Sequence, residues 1–354
     1  MANEIETTQA DINAKKQQIV TINKGSLDYV IRSGIAGGIS GSCAKTLIAP
    51  LDRIKILFQT SNPHYTKYAG SLVGLVEAAK HIWINDGIRG FYQGHSVTLI
   101  RIFPYAAVKF VAYEQIRSFL IPSRDYELHW RRLMSGSLAG LCSVFLTYPL
   151  DLIRVRLAYV TDHNRVKLTK IIRTIWSEPA SVTLSSKPYV PQWFGHWCNF
   201  YRGYIPTVFG MIPYAGVSFF AHDLLHDLLR LPSLAPHAVL KLSDEEEELR
   251  NHKKQRIPLK TWAELFSGGL AGMASQTAAY PFEIIRRRLQ VSTLAPRNMY
   301  EHKFQSIGDI TRIIYQERGW RGFFVGLSIG YIKVVPMVAC SFFVYERMKW
   351  HLGI

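Results

Sequence analysis

Three times this chain ends a long apolar, glycine-bearing stretch in the same way. A proline is followed by an acid two residues on and a base five residues on. The copies are Pro50-Leu51-Asp52-Arg53-Ile54-Lys55, Pro149-Leu150-Asp151-Leu152-Ile153-Arg154 and Pro281-Phe282-Glu283-Ile284-Ile285-Arg286. Charge at the end of a membrane-length segment is expensive, so matched acid–base sets at one offset point to paired, working groups. Three such units can bury their apolar faces only against one another, which constrains the fold to a repeated helical membrane assembly.

The repeat extends well beyond the proline. Glycines stand 13 and 9 residues before each copy, as Gly37/Gly41, Gly136/Gly140 and Gly268/Gly272. Small residues four apart let helix backbones approach closely in lipid, and that is the expectation here. Farther on, Pro104, Pro213 and Pro336 each precede a polar marker by nine residues. The markers are Tyr113-Glu114-Gln115-Ile116-Arg117, His222-Asp223-Leu224-Leu225-His226 and Tyr345-Glu346-Arg347-Met348-Lys349, with Gly94, Gly203 and Gly326 19 residues before them. Each repeat therefore reads as membrane helix, short amphipathic helix, membrane helix. Spans are expected near 26–59, 94–120, 130–158, 203–228, 260–290 and 326–351, and surface helices near 71–84, 166–176 and 304–317. Several spans exceed the ~20 residues that a bilayer core requires, which implies tilt, protrusion or a kink at the signature proline.

Spacing locates the insertions. From signature proline to marker the distances are 63, 73 and 64 residues, so the second repeat carries about ten extra in its internal loop. From marker to the next proline they are 36 and 59, and the surplus coincides with the charged run from Ser243 to Arg256. That run reads as a solvated loop; it lacks the alternating oxygen ligands and central glycine of a calcium loop. The expected organisation is a polar tail at 1–25, repeats at 26–125, 126–232 and 259–354, and the charged loop at 233–258. The tail has neither a secretory apolar core nor an arginine-rich, acid-poor presequence, so targeting is expected to be internal.

The formal charge of +16, with 48% hydrophobic residues, would also suit a soluble nucleic-acid binder. The basic residues are spread over all three repeats, many inside apolar segments, whereas nucleic acid needs them on one solvent face. Anionic lipid head groups and an anionic solute are the natural partners of a basic membrane protein. Cys43, Cys142, Cys198 and Cys340 have no metal-ligand spacing, and three of them read as packing residues in apolar helices. No nucleophile–base–acid set, metal motif or glycine-rich phosphate loop stands out, so neither catalysis nor a metal is expected.

The threefold signature resembles that of the mitochondrial carrier family. The resemblance implies an all-α membrane fold of six transmembrane helices in three pseudo-symmetric repeats, with short matrix-side helices. It places the chain in the mitochondrial inner membrane with both termini facing the intermembrane space. A monomer suffices, since the symmetry is internal. It also implies that Asp52, Asp151 and Glu283 pair with Lys55, Arg154 and Arg286 of adjacent repeats, closing a matrix-side gate. Gln59 and Gln290 resemble the glutamines that brace it; the second repeat has Ala158 there. An opposite, cytoplasmic gate would use Tyr113, Glu114, Arg117, Asp223, His226, Tyr345, Glu346 and Lys349. His226 stands where the other repeats carry a permanent cation, so that gate is expected to be the weaker one and to strengthen as pH falls.

In that family the solute binds near mid-membrane at matched positions of the even-numbered helices. Twelve residues before each marker these are Arg101, Gly210 and Lys333. Two cations and a glycine suit an anion with a flat part. Gly210-Met211-Ile212-Pro213-Tyr214 resembles the adenine pocket of nucleotide carriers, where glycine leaves room for a ring and an aromatic stacks on it. Lys45 resembles a cavity lysine of the same branch, and Lys109 lies two turns past Arg101; with Arg101 and Lys333 they form a cradle for several phosphates. The ADP/ATP pattern fails after Arg286-Arg287-Arg288, where Leu289-Gln290-Val291 replaces three methionines, and at Ala215, which replaces an arginine. The runs from Gly37 to Pro50, Gln192 to Gly203 and Ala339 to Trp350 resemble the fungal coenzyme A branch of the family. Coenzyme A is thus the implied cargo, by exchange or alone, with ADP, ATP or adenosine 3′,5′-diphosphate as the alternative. Asp86-Gly87-Ile88-Arg89-Gly90, Tyr201-Arg202-Gly203 and Trp320-Arg321-Gly322 resemble motifs that hold cardiolipin phosphates at helix starts.

Overall fold

A computed structural model describes residues 27–122, 129–161, 167–178, 191–240, 258–294 and 306–353. The polar tail at 1–25 and the charged run from Ser243 to Arg256 lie outside these residues. Among those described, the protein is helical apart from one isolated bridge between Val239 and Leu259. The long helices are α1 (Leu27–Gln59), α3 (His95–Leu120), α4 (His129–Tyr159), α7 (Tyr204–Leu229) and α8 (Thr261–Val291). Shorter ones are α2 (Leu72–Phe91), α5 (Leu168–Ser177), α6 (Gln192–Asn199), α9 (Ile307–Arg318), α10 (Leu327–Ile332) and α11 (Val334–Leu352). Helix α6 was not foreseen from sequence.

Pro50, Pro149 and Pro281 lie inside uninterrupted helices. The expected single helix at 326–351 is instead broken at Lys333. A prolyl ring collides with the carbonyl four residues back, and for Pro336 that carbonyl belongs to Ile332, where α10 stops. Helix α2 also runs longer than expected, through Gly87, which breaks the helical path with a φ of 66°.

Helices α3, α7 and the helical run ending at Leu352 are long and apolar enough to cross a bilayer, as is Met134–Tyr159 in α4. Little of α3 and α7 is buried, with Phe110 at 56% and Phe220 at 68% exposure, as a hydrocarbon solvent permits. Helices α1 and α8, at 33 and 31 residues, have the length for a span but carry more polar residues.

The chain divides into two compact units. The first joins the described residues up to Leu47 to those from Val335 onward. Here α1 and α11 run antiparallel. Arg32 donates to the Leu352 carbonyl at 2.9 Å, the hydroxyls of Ser40 and Ser341 lie 3.4 Å apart, and Lys45 Nζ is 3.5 Å from Met337 Sδ.

The second unit runs from Ile48 to Val334. Within it α3 packs along α4, and α7 along α8. One apolar cluster is built three times. Residues four and eight after each signature proline (Ile54/Phe58, Ile153/Leu157, Ile285/Leu289) pack on residues four apart in a surface helix, Ala78/Ile82, Ile171/Ile175 and Ile310/Ile314. A 3.6-residue period puts both sets on single faces, which seats α2, α5 and α9 against the signature helix ends.

Gly94 and Gly203 show why glycine recurs there. Their φ values are 83° and 81°, and an added Cβ would lie 2.9 Å from the Arg154 carbonyl oxygen and 3.0 Å from that of Arg286. Only glycine permits both. The paired glycines before each proline behave otherwise. At Gly37, Gly41, Gly136, Gly268 and Gly272 an added Cβ would meet nothing within 4 Å, and Gly140 meets Met211 Cε at 3.4 Å. The expectation of close backbone approach is therefore corrected: at these helix separations the glycines leave room instead.

Cys43 and Cys142 are exposed, while Cys198 and Cys340 are half-buried; all are free thiols. Packing against protein therefore does not describe the first two.

Candidate transport site and signature network

Within one signature copy the acid and base are three residues apart, close enough to pair along a helix face. They do not. Asp52 accepts from Arg154 at 3.0 Å, Asp151 from Arg286 at 2.5 Å and Glu283 from Lys55 at 3.1 Å. Each pair thus joins two repeats, and the three close on one another within the second unit. The helix ends converge here, so Asp52 and Asp151 are buried at 7% and 1% exposure and reach the nearest cation across the seam.

The supports are unequal. Gln59 donates to Glu283 and to the Tyr280 hydroxyl, both at 3.1 Å. Gln290 donates to Asp151 at 3.3 Å and to the Tyr148 hydroxyl at 3.1 Å. Tyr148 and Tyr280 immediately precede signature prolines, where the first copy has Ala49. Arg286 and Lys55 sit over their rings at 5.2 and 5.1 Å. The seam between Asp52 and Arg154 carries Ala158 and Ala49 instead, and a small cleft opens beside them. The tyrosines were missed from sequence, although an aromatic before two of three prolines was a readable signal.

More cations arrive than the pairs require. Arg101 donates to Asp151 at 2.7 Å, Arg287 donates to it at 3.1 Å, and Lys333 donates to Asp52 at 2.8 Å. Six cations thus surround three carboxylates. Arg101 also sits over the Tyr105 ring at 5.4 Å. The middle arginine of Arg286-Arg287-Arg288 had been given no role.

Outside these pairs lies a second tier, also missed. Arg53 donates to Asp86 at 3.3 Å, Arg156 grips both oxygens of Glu178, and Arg288 lies 2.7 Å from Glu317. These arginines reach the Val160 carbonyl, the Gln290 carbonyl and the Ser61 hydroxyl of the next repeat. Arg202, in one cardiolipin-like motif, turns inward to Asn199 and lies 3.5 Å from Glu178. Burial lowers the tendency of its guanidinium to stay charged, against the attraction of Glu178. Asp86, in another such motif, faces Arg53.

The remaining expected site residues are dispersed. Gly210 is tightly opposed: an added Cβ would lie 3.0 Å from Phe282 Cβ. The space expected there for a ring is taken by α8, a correction to the reading of that glycine. Met211 packs toward Gly140, while Tyr214 remains half exposed at 50%. Lys109, Glu114, Arg117 and Asp223 are exposed, and Tyr113 and Tyr345 are half-buried. Lys349 donates to Glu346 on its own helix at 3.3 Å, and His226 stacks on His222 with ring centres 4.0 Å apart.

A family profile described as "Mitochondrial carrier protein" matches residues 27–124, 127–184 and 258–353, all three signature copies included. The chain belongs to the mitochondrial carrier family. This carrier is 76% identical over 343 residues to "Mitochondrial carrier protein LEU5" of Saccharomyces cerevisiae, covering 97% of this chain and 96% of that one. It is 37% identical over 330 residues to "Solute carrier family 25 member 16" of Homo sapiens, with 92% and 90% covered. It is 34% identical over 339 residues to "Mitochondrial carrier protein CoAc1" of Arabidopsis thaliana, again with 92% and 90% covered. As a mitochondrial carrier it is a multi-pass transporter of the inner membrane, not an enzyme.

Proposed function

We propose that this carrier moves coenzyme A across the inner membrane by alternating access, with both termini on the intermembrane-space side. Arg101, Lys333 and Lys109 bind the phosphates, while Met211 and Tyr214 line the approach to the adenine. The observation that carries the reading is the double use of Arg101 and Lys333. Both stand at matched substrate positions, and both are held by signature carboxylates, Asp151 and Asp52. An arriving polyanion competes for these cations.

Magnitudes favour several phosphates over one. Taking a partner from a buried carboxylate costs about 3–5 kcal/mol. Each charge-assisted hydrogen bond to a phosphate returns about 1.5–3 kcal/mol. Two or three such bonds offset the loss, and the formal excess of cations suits the pyrophosphate and 3′-phosphate of coenzyme A. Once Asp151 and Asp52 lose these contacts, the matrix gate of Asp52, Lys55, Asp151, Arg154, Glu283 and Arg286, braced by Gln59 and Gln290, is free to part. The outer gate then forms from Glu114, Arg117, Asp223, His226, Glu346 and Lys349 with Tyr113 and Tyr345. The name of the plant relative, CoAc1, is in keeping with this cargo. Cardiolipin is the proposed bound lipid, and one chain the proposed unit.

The test is uptake of labelled coenzyme A into cardiolipin-containing liposomes, preloaded with ADP, with adenosine 3′,5′-diphosphate, or with nothing. Saturable uptake that falls at least ten-fold in Arg101→Ala supports cargo and site together. Absence of coenzyme A uptake beside rapid ADP or ATP exchange would sink the assignment and leave the carrier.

A further inference from the structure

One carboxamide beside the signature network takes no part in it. Gln276 lies on α8, five residues before Pro281, where the other repeats place Lys45 and Val144. Its side chain crosses to α10 within the second unit. An added Cβ at Gly330 would lie 2.4 Å from Gln276 Nε2 and 3.4 Å from Lys55 Nζ, the lysine paired with Glu283. Any side chain at position 330 would therefore push the carboxamide out. Thr98 and Thr207 hold the matched places in the other repeats, and each hydroxyl donates to a carbonyl four residues back on its own chain. Only the third repeat has a slot there, filled from the neighbouring helix. The slot is fixed from one flank by Tyr331, whose hydroxyl meets that of Thr277 and lies 3.4 Å from the Met273 carbonyl.

Gln59 and Gln290 are each committed to a carboxylate and a tyrosine hydroxyl. Gln276 is half-buried and makes no hydrogen bond to any of the described residues. A carboxamide presents donor hydrogens and an acceptor oxygen side by side. On a phosphate, which only accepts, that oxygen has no use; on an edge that both donates and accepts, the whole group is used. Lys333 follows Gly330 by three residues, so the two share a helix face. A phosphate drawn to Lys333 brings the atoms next to it within reach of Gln276. We propose that Gln276 is a specificity residue of the transport site, reading an uncharged donor–acceptor edge of the cargo beside the phosphate at Lys333. The inference rests on the coenzyme A reading above and deepens it. Coenzyme A carries two such edges, the amides of its pantetheine arm and the N6/N7 edge of adenine, which glutamine can bond in bidentate fashion. The phosphate cations alone would not distinguish either from inorganic pyrophosphate.

The experiment compares four probes on the full-length purified carrier: coenzyme A, 4′-phosphopantetheine, adenosine 3′,5′-diphosphate and inorganic pyrophosphate. Affinity is read from ligand-induced shifts in melting temperature, which need no turnover, and transport from liposome uptake. Gln276→Met keeps the length of the side chain and removes the carboxamide. Gly330→Ala keeps Gln276 but displaces its amide, and alanine is the better helix former, so it carries the test if the methionine variant does not fold. Each variant should weaken coenzyme A about five-fold, the size of one neutral hydrogen bond, and leave pyrophosphate unchanged. Combined, they should cost no more than either alone, because both remove the same group. A loss shared with 4′-phosphopantetheine assigns the edge to the amide arm; a loss shared with adenosine 3′,5′-diphosphate assigns it to the adenine. Equal weakening of all four probes, additive effects of the two variants, or unchanged affinities would overturn the role of Gln276. Failure of the unmodified carrier to bind or take up coenzyme A overturns the cargo instead, and Gln276 is then judged by adenosine 3′,5′-diphosphate against pyrophosphate.

Discussion

Two seams of the signature network use the same acid–base spacing and are built very differently. At the seam between Asp151 and Arg286, the carboxylate is shared by Arg101, Arg286 and Arg287, held by Gln290 and backed by Tyr148. At the seam between Asp52 and Arg154, Lys333 is the added cation, and alanines stand at both bracing positions, Ala49 and Ala158. Repetition of a motif thus does not make its copies equal in strength. Side chains one residue before the proline and nine after it set how much support each pair receives.

The contrast can be broken most severely at Asp151. Asp151→Asn leaves three partly buried guanidiniums without their shared, buried anion, and losing one partner of a buried pair costs about 3–5 kcal/mol. Transport should fall more than ten-fold and the melting temperature should drop. An unchanged melting temperature would show that the anion is not structurally required. Gln290→Ala should cost less, about 1–2 kcal/mol, since it removes neutral donors from a carboxylate that retains its arginines.

The comparison sharpens in the opposite direction at Ala158. Ala158→Gln, combined with Ala49→Tyr, rebuilds at the weak seam the brace seen at the other two. A gain of about 1 kcal/mol in stability is expected, with slower uptake if that seam opens during transport. Faster uptake with no gain in stability would contradict the role given to the braces.

At the other helix ends the effects should be smaller. His226→Lys replaces a group whose charge depends on pH with one charged throughout. If His226 belongs to the outer gate, its gain of charge in acid strengthens that gate, so wild-type uptake should change with pH while the lysine variant stays flat. Identical profiles would remove His226 from the gate. Smallest of all is Lys349→Ala. Its exposed pair with Glu346, three residues away, should be worth no more than about 0.5 kcal/mol by melting.

Much of the fold was legible because its signals are periodic. Prolines, glycines and acid–base offsets recur in register, and five of six expected spans fall within two residues of observed helices. The sixth failed at Lys333, although the matched Pro104 and Pro213 lie inside unbroken helices, so the prolyl ring alone does not account for that break. The site was legible in part. Arg101 and Lys333 stood out by symmetry, whereas Tyr148, Tyr280, Arg287 and the outer arginines did not. A tyrosine or arginine near a membrane end is commonplace until a partner from another repeat is seen.

By itself the amino-acid order determined a threefold helical membrane protein and the positions of its signature charges; the places of its candidate substrate residues were what the family resemblance implied. The first two follow from spacing along one chain, which local geometry translates directly into helix faces. Partner choice belonged to tertiary structure. Only convergence of the helix ends decides that Asp52 meets Arg154 and Lys333 rather than Lys55 on its own helix. Only packing reveals that Gly210 is pressed against Phe282 while Gly41 faces open space. Pairing in a buried site depends on which charges are brought within about 3 Å after water is excluded, and no distance along the sequence encodes that.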